Sequence, residues 1–235
     1  MKILAIDTSA TAASVCLAED YKILGEFFTN TSLTHSQTLL TMIEQVFVNT
    51  QTDVKELDCI AVNAGPGSFT GVRIGVAAAK GLAFSDNLPC VSVSTLESMA
   101  YNMLLNDCVV CAVMDARCSQ VYNALFRIRE NKVERLCADR ALALTDLKAE
   151  LEKIGEKIVL VGDGAELCAE FLGNSLSNVF LAPANNRFQK ASSVVLAANK
   201  SISEGKTITS EELTPTYLRL PQAQRELNKR LGRDK

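Results

Sequence analysis

His35 is the one histidine in a chain of 235 residues, so chemistry that needs two imidazoles is excluded at the outset. No His–His metal site can form, and a Ser-His-Asp triad or a Cys–His pair would have to use that single ring. The carboxylates offer more. Asp7-Thr8-Ser9 closes one apolar run and leads through a turn into another, the place where a phosphate-contacting hairpin lies in a two-lobed nucleotide-binding fold. Asp and Ser are also ordinary turn residues. A working ATPase wants a second acidic hairpin rich in glycine, and Asp115-Ala116-Arg117 holds that place without one. Asp7, Thr8, Ser9 and Asp115 are therefore read as a degenerate, weak nucleotide site, and no catalytic residue, metal or cofactor is expected. Gly162-Asp163-Gly164-Ala165 has the form of a strand-to-helix turn, which could face an adenine and equally needs no ligand.

The strongest local signal is the run Ala64-Gly65-Pro66-Gly67-Ser68-Phe69-Thr70-Gly71-Val72-Arg73-Ile74-Gly75. Gly65 and Gly67 allow a tight turn, Ser68 or Thr70 can cap a following helix, and the free amides of its first turn could receive an anion. No Lys-Ser/Thr follows as in a P-loop, and no G-x-G-x-x-G is present, so a phosphate is weakly signalled. Gly71, Gly75, Ala78, Ala79 and Leu82 fall near one helical face and leave it almost bare. A glycine inside a helix costs about 1 kcal/mol against alanine, so Gly71, Gly75 and Gly81 together imply that something packs closely there. Two readings stay open: the chain's own neighbouring elements, or a subunit interface.

These residues need elements to position them. Residues 2–7, 13–18 and 22–29 read as three β-strands; 35–48, with Leu39, Leu40, Ile43, Val46 and Phe47 at helical spacing, as a helix. Strand 59–63, helix 70–85, strand 89–93 and helix 95–105 complete a βββαβαβα half. The second half opens alike, with strands 109–115, 120–129 and 132–137, then helix 145–154, strand 157–161, helix 165–172 and helix 192–204. Two such halves imply an α/β fold of duplicated lobes, mixed sheets flanked by helices with a cleft between them. The lobes are placed at 1–105 and 106–220, with a basic tail at 221–235.

Composition agrees with a globular protein: 48% of residues are apolar and 22% charged. Net charge is −3, but residues 219–235 hold six basic and two acidic residues, leaving 18 basic against 25 acidic elsewhere, a charge of −7. Such a tail could touch RNA phosphates, though a solvated helix face makes the same pattern. The opening MKILAIDTS is too short and too soon acidic for a signal segment, and no membrane-length apolar run follows, so a cytoplasmic protein is expected. The eight cysteines should then stay reduced. Cys108-Val109-Val110-Cys111 has redox-motif spacing but sits in a strand, where alternate residues face opposite ways, and is read as core.

The opening ILAIDTS, the AGPGSFTGVRIG loop and helix, VSVSTLE, MDAR and the late PTYLR, in that order, resemble the bacterial TsaB (YeaZ) family over essentially the whole chain. The resemblance implies the actin-like, Hsp70-like and sugar-kinase superfold, ribonuclease H-like, with metal and ATP motifs degenerate. It also implies a degenerate relative of TsaD, the enzyme that transfers threonylcarbamoyl to the adenosine beside the anticodon of tRNA. In the place of that enzyme's two metal-binding histidines stand Thr95 and Met99, a neutral hydroxyl and a thioether that bind catalytic divalent ions feebly. The role implied is a non-catalytic subunit that pairs with TsaD as a heterodimer through the first lobe and assembles with TsaE, with TsaC in the same pathway. In isolation the same surface is expected to make a homodimer. Contact with tRNA is expected only indirectly, and none with membrane. The interface is placed on His35, Leu39, Met42 and Ile43 of one helix and Gly71, Arg73, Gly75 and Ala79 of the next. The competing expectations are an actin-like ATPase or kinase, which would need Asp7 or Asp115 for turnover, and a metalloprotease-like protein, which lacks a second imidazole.

Overall fold

The structure is a computed structural model that describes residues 1–117 and 119–219; the basic tail expected at 221–235 lies outside them. Its first sheet has the order β3-β2-β1-β4-β5. β1 (Lys2–Asp7), β2 (Ala12–Glu19) and β3 (Lys22–Asn30) form an antiparallel meander, and β4 (Cys59–Gly65) and β5 (Cys90–Ser94) extend it in parallel from β1. Both faces of this sheet are covered, which is why β1, β2 and β4 read as nearly unbroken apolar runs. On one face Leu4, Ile6, Val15, Ile60 and Val62 pack against α1 (His35–Thr50) and α2 (Phe69–Phe84). On the other, Ile3, Ala5, Cys59, Ala61, Val91 and Val93 lie under α7 (Ala191–Ser203).

The second sheet runs β11-β10-β6-β7-β8, with β9 paired to the far end of β7. Its strands are β6 (Cys108–Asp115), β7 (Gln120–Arg129), β8 (Lys132–Arg135), β9 (Arg140–Ala143), β10 (Ile158–Val161) and β11 (Val179–Leu181). α4 (Leu144–Leu151) and α5 (Ala165–Leu172) cover one face through Leu147, Leu151, Ala165 and Cys168. The other face takes Leu96, Met99 and Ala100 of α3 (Thr95–Ala100), and a single turn, α6 (Ala184–Arg187), lies beside β10.

The sequence reading therefore needs correcting at the lobe boundary. α3 belongs by position to residues 1–105 yet packs on the second sheet, and α7 belongs to 106–220 yet packs on the first. The reason is burial: each sheet has a second apolar face, and each fully buried Val or Leu on it stabilises by about 1.5–3 kcal/mol. The two inner helices meet each other, so the layers run through both halves without a break at residue 105. After α7 the chain stays with the first lobe: Ile208 bridges Cys90 and Leu213 enters the core beside α2. Helix 95–105 also ends early, at Ala100, passing into a 3-10 turn at Tyr101–Met103. No described helix is long and apolar enough to cross a membrane.

Candidate functional site: the cleft between the lobes

Where β1 ends, the chain turns against the start of α2. Ser68 caps α2, its hydroxyl accepting from the Gly71 amide at 3.2 Å, while its own amide donates to the Ser9 carbonyl at 2.7 Å. Thr8 donates its hydroxyl to the Gly71 carbonyl at 2.7 Å. A Cβ at Gly67 would lie 2.3 Å from the Ser9 carbonyl oxygen, one at Gly71 2.1 Å from that of Thr8, and one at Gly75 2.5 Å from the Thr8 hydroxyl. The bare helical face is thus occupied by the chain's own β1–β2 turn.

That corrects the expected interface. Gly71, Gly75 and Ala79 on α2, and Leu39, Met42 and Ile43 on α1, are all buried in the first lobe's core. His35 is half-buried, its Nε2 2.7 Å from the Ala10 carbonyl oxygen. Of the expected interface residues only Arg73 is exposed. Its guanidinium lies 3.8 Å over the Phe69 ring, and its Nε donates to the Tyr217 hydroxyl at 2.7 Å.

The expected nucleotide residues divide in the same way. Asp7, Thr8 and Ser9 are all fully buried at the floor of the cleft, and of the four only Asp115 is exposed in it. Asp7 Oδ1 accepts from the Ser9 amide at 2.8 Å; its Oδ2 has no partner among the described residues, and burial pushes its pKa up from the ordinary carboxylate value. Asp115 Oδ1 accepts from the Arg117 amide at 2.7 Å. Arg117 adopts φ 65°, the left-handed conformation in which glycine would sit without strain, so the missing glycine of the second hairpin is replaced by a strained arginine. Asp163, in the turn between β10 and α5, also lines the cleft. Burial pushes its carboxyl up to about 6, partly offset by the hydrogen bond from Gln189, with the charges of Asp115 and Asp7 adding to the rise.

The cleft encloses about 640 Å³. Its remaining wall was not legible as a site: the stretch Thr216-Tyr217-Leu218-Arg219. Thr216 donates its amide to Ala64 at 2.7 Å, Tyr217 stacks on Phe69 with centroids 4.9 Å apart, and Arg219 reaches the other lobe to donate to the Ala116 carbonyl at 3.0 Å. PTYLR stood out as a motif, but nothing in its composition says that it closes a cleft whose other walls come from the β1–β2 turn, the start of α2 and the ends of β6 and β10. Thr95 and Met99 are wholly buried, Met99 within the core of the second lobe. Among the described residues no three His, Cys, Asp or Glu side chains gather as a metal-holding group.

Comparison with known proteins gives a consistent picture. The family model described as TsaD, tRNA N6-adenosine threonylcarbamoyltransferase, matches residues 22–227. The tRNA threonylcarbamoyladenosine biosynthesis protein TsaB of Escherichia coli is 33% identical over 93% of this chain and 95% of its own length. The TsaB of Bacillus subtilis is 29% identical over 95% of this chain and 96% of its own. Among solved structures, YeaZ from Pseudomonas aeruginosa superposes with a TM-score of 0.77 at 24% identity, covering 92% of this chain and 99% of that one. The ethanolamine utilization protein EutJ from Carboxydothermus hydrogenoformans follows at a TM-score of 0.52 and 11% identity, over 84% and 90%. These likenesses show the fold: α/β, with two mixed sheets, in the actin-like superfold.

Proposed function

This chain belongs to the TsaB (YeaZ) family, and from that premise we propose that it is a non-catalytic subunit of the machinery that makes threonylcarbamoyladenosine in tRNA. In this reading it binds TsaD through the first lobe, favours the active state of that enzyme by binding it more tightly, and assembles with TsaE, while TsaC supplies the activated intermediate. It works in the cytoplasm and meets tRNA only through its partners; alone, it pairs with itself through the same surface.

The observation that supports this reading is the outer stripe of α2. Arg73, Ala77, Gly81 and Phe84 are solvent-facing at helical spacing, and a Cβ at Gly81 would meet nothing within 4 Å. Gly71 and Gly75 answer to the chain's own packing; Gly81 does not. A helix-weakening glycine kept on an exposed face, with Phe84 69% exposed beside it and Leu40 66% exposed on α1, suits close approach by a second polypeptide. At the other end of the helix pair, Leu33, His35, Gly71 and Ile74 border a mainly apolar depression of about 300 Å³.

The test is threonylcarbamoyl transfer to tRNA by purified TsaC, TsaD and TsaE with ATP, threonine and bicarbonate, with and without this chain. Transfer that requires the chain and survives Asp115→Ala supports a scaffold. Transfer indifferent to the chain sinks the reading, and transfer lost with a folded Asp115→Ala variant assigns nucleotide chemistry to the cleft instead. Asp115, exposed in that cleft above the buried Ser9, is where a weak nucleotide contact would be made.

A further inference from the structure

The second lobe carries an apolar surface that no described element covers. Along α5, Ala165, Cys168 and Leu172 are buried, while Leu167 and Phe171, one turn apart on its outer side, are 37% and 44% exposed. Leu181 of β11, also exposed, joins them: its register partner Leu160 lies in the core beneath α5, so the Leu181 side chain stands on the same face of the sheet. Glu166 and Glu170, again one turn apart, are exposed at the rim of this surface. Glu166 pairs with Arg187.

β11 is not built to receive another strand there. It has three residues, and Pro183 behind it has no amide to donate to a new neighbour. A leucine-bearing segment of positive charge fits better, and the chain ends in one. Residues 220–235 hold Leu220, Leu227 and Leu231, spaced by seven and four, with five basic residues against two acidic, whereas residues 1–219 hold 19 basic against 25 acidic.

The exit of the chain from the described structure points to α5. Arg219 ends the strap of residues 216–219 that walls the cleft, and its guanidinium donates to the Ala116 carbonyl, just past β6. Gly164, immediately before α5, sits against the same end of β6: its amide donates to the Val113 carbonyl at 3.2 Å, and a Cβ there would lie 2.9 Å from the Met114 carbonyl carbon. The tail therefore starts beside the first turn of α5. Sixteen residues reach about 50 Å extended and about 24 Å as a helix, against about 12 Å for α5, so length does not limit the contact. The apolar depression beside Leu33 and Ile74 is a poorer fit, because no carboxylate lines it.

We infer that residues 220–235 dock in cis along the outer face of α5, with Leu227 and Leu231 on Leu167, Phe171 and Leu181 and the basic side chains toward Glu166 and Glu170. Docking removes apolar area of both surfaces from water, and the charges at the rim add an attraction that salt screens. The inference concerns the isolated chain and does not depend on pairing with TsaD.

The test compares amide spectra by NMR of the full chain and of a Leu227→Ser, Leu231→Ser double variant, at about 50 mM salt. The expected result is a set of shifts confined to residues 165–173 and 179–182. Glu170→Arg should in turn move the amides of residues 225–233, and about 0.5 M salt should move the parent spectrum toward that of the leucine variant. Amides of α5 and β11 that stay in place in the leucine variant overturn the docking, as do shifts centred on α1 and α2. Glu170 is exposed, so its replacement leaves the core alone, and a folded Glu170→Arg chain with unmoved tail amides overturns the contact with the rim. Differences that fade on dilution of the protein assign the surface to a second copy and overturn docking in cis.

Discussion

The carbonyl oxygen of Thr216 lies 2.3 Å from where a side chain on Gly65 would begin. Gly65 also has φ 121°, in the region open to glycine, so the strap near the C-terminal end and the loop after β4 fit only because that position carries no Cβ. Gly65→Ala should destabilise the fold by about 3 kcal/mol, combining a strained backbone with an overpacked contact. For a chain of this size that is a fall in Tm of about 6–12 °C by calorimetry. A change within experimental error would mean that the strap can leave the loop at little cost.

Six cysteines, Cys16, Cys59, Cys90, Cys108, Cys111 and Cys168, are buried, and burial holds each thiol above its ordinary range, Cys59 and Cys168 at about 12. A thiolate is the reactive form, so these six should resist a water-soluble disulfide reagent at mildly alkaline pH until the chain unfolds. Cys137, half-buried, should react first among the described residues. Counting thiols released before and after adding guanidinium tests this, and rapid modification of all six would contradict the core they are assigned to.

The first half was legible because its signals are local and strong. Strands buried on both faces, a 16-residue helix with the Thr34–Gln37 capping box and a Ser68-capped second helix all announce themselves in short windows. β9, β11 and α6, of three or four residues each, carry too little pattern to read. The exchange of α3 and α7 between lobes was illegible for another reason: both inner helices and both inner sheet faces are apolar, and periodicity does not say which covers which. The interface misplacement has the same root. α2 has small residues on both sides, Gly71, Gly75 and Ala79 inward and Ala77 and Gly81 outward, and only the position of the β1–β2 turn distinguishes them.

Asp7 carries a pH prediction of its own. Its folded value is raised by burial, so the unfolded chain releases that proton more readily, and stability is lost as pH rises from the ordinary carboxylate range through the folded value. Asp7→Asn removes the loss while keeping the shape and an acceptor for the Ser9 amide. The variant should melt above the parent at about pH 7.5 and match it near pH 4. A lower Tm at neutral pH would mean that the charged form is the stabilised one, through the Ser9 hydrogen bond and its neighbours.

Gly75→Leu and Gly81→Leu lie on one helix and should fail in opposite ways. At position 75 the new side chain would start 2.5 Å from the Thr8 hydroxyl, with Val62 and Ile6 at 3.5 and 3.6 Å behind it, so the core must yield at a cost of about 3 kcal/mol. At position 81 nothing lies within 4 Å, and leucine for glycine in an exposed helix should raise stability by up to about 1 kcal/mol. The bulk at 81 would instead stand between α2 and whatever approaches it. Gly81→Leu is therefore expected to melt at or above the parent temperature yet to lose co-elution with TsaD, and self-pairing with it, by at least about tenfold in affinity, while Gly75→Leu loses pairing only as it loses the fold. A Gly81→Leu chain that folds and pairs as the parent does would move the partner surface off the outer stripe of α2, and leave its exposed glycine without a reason.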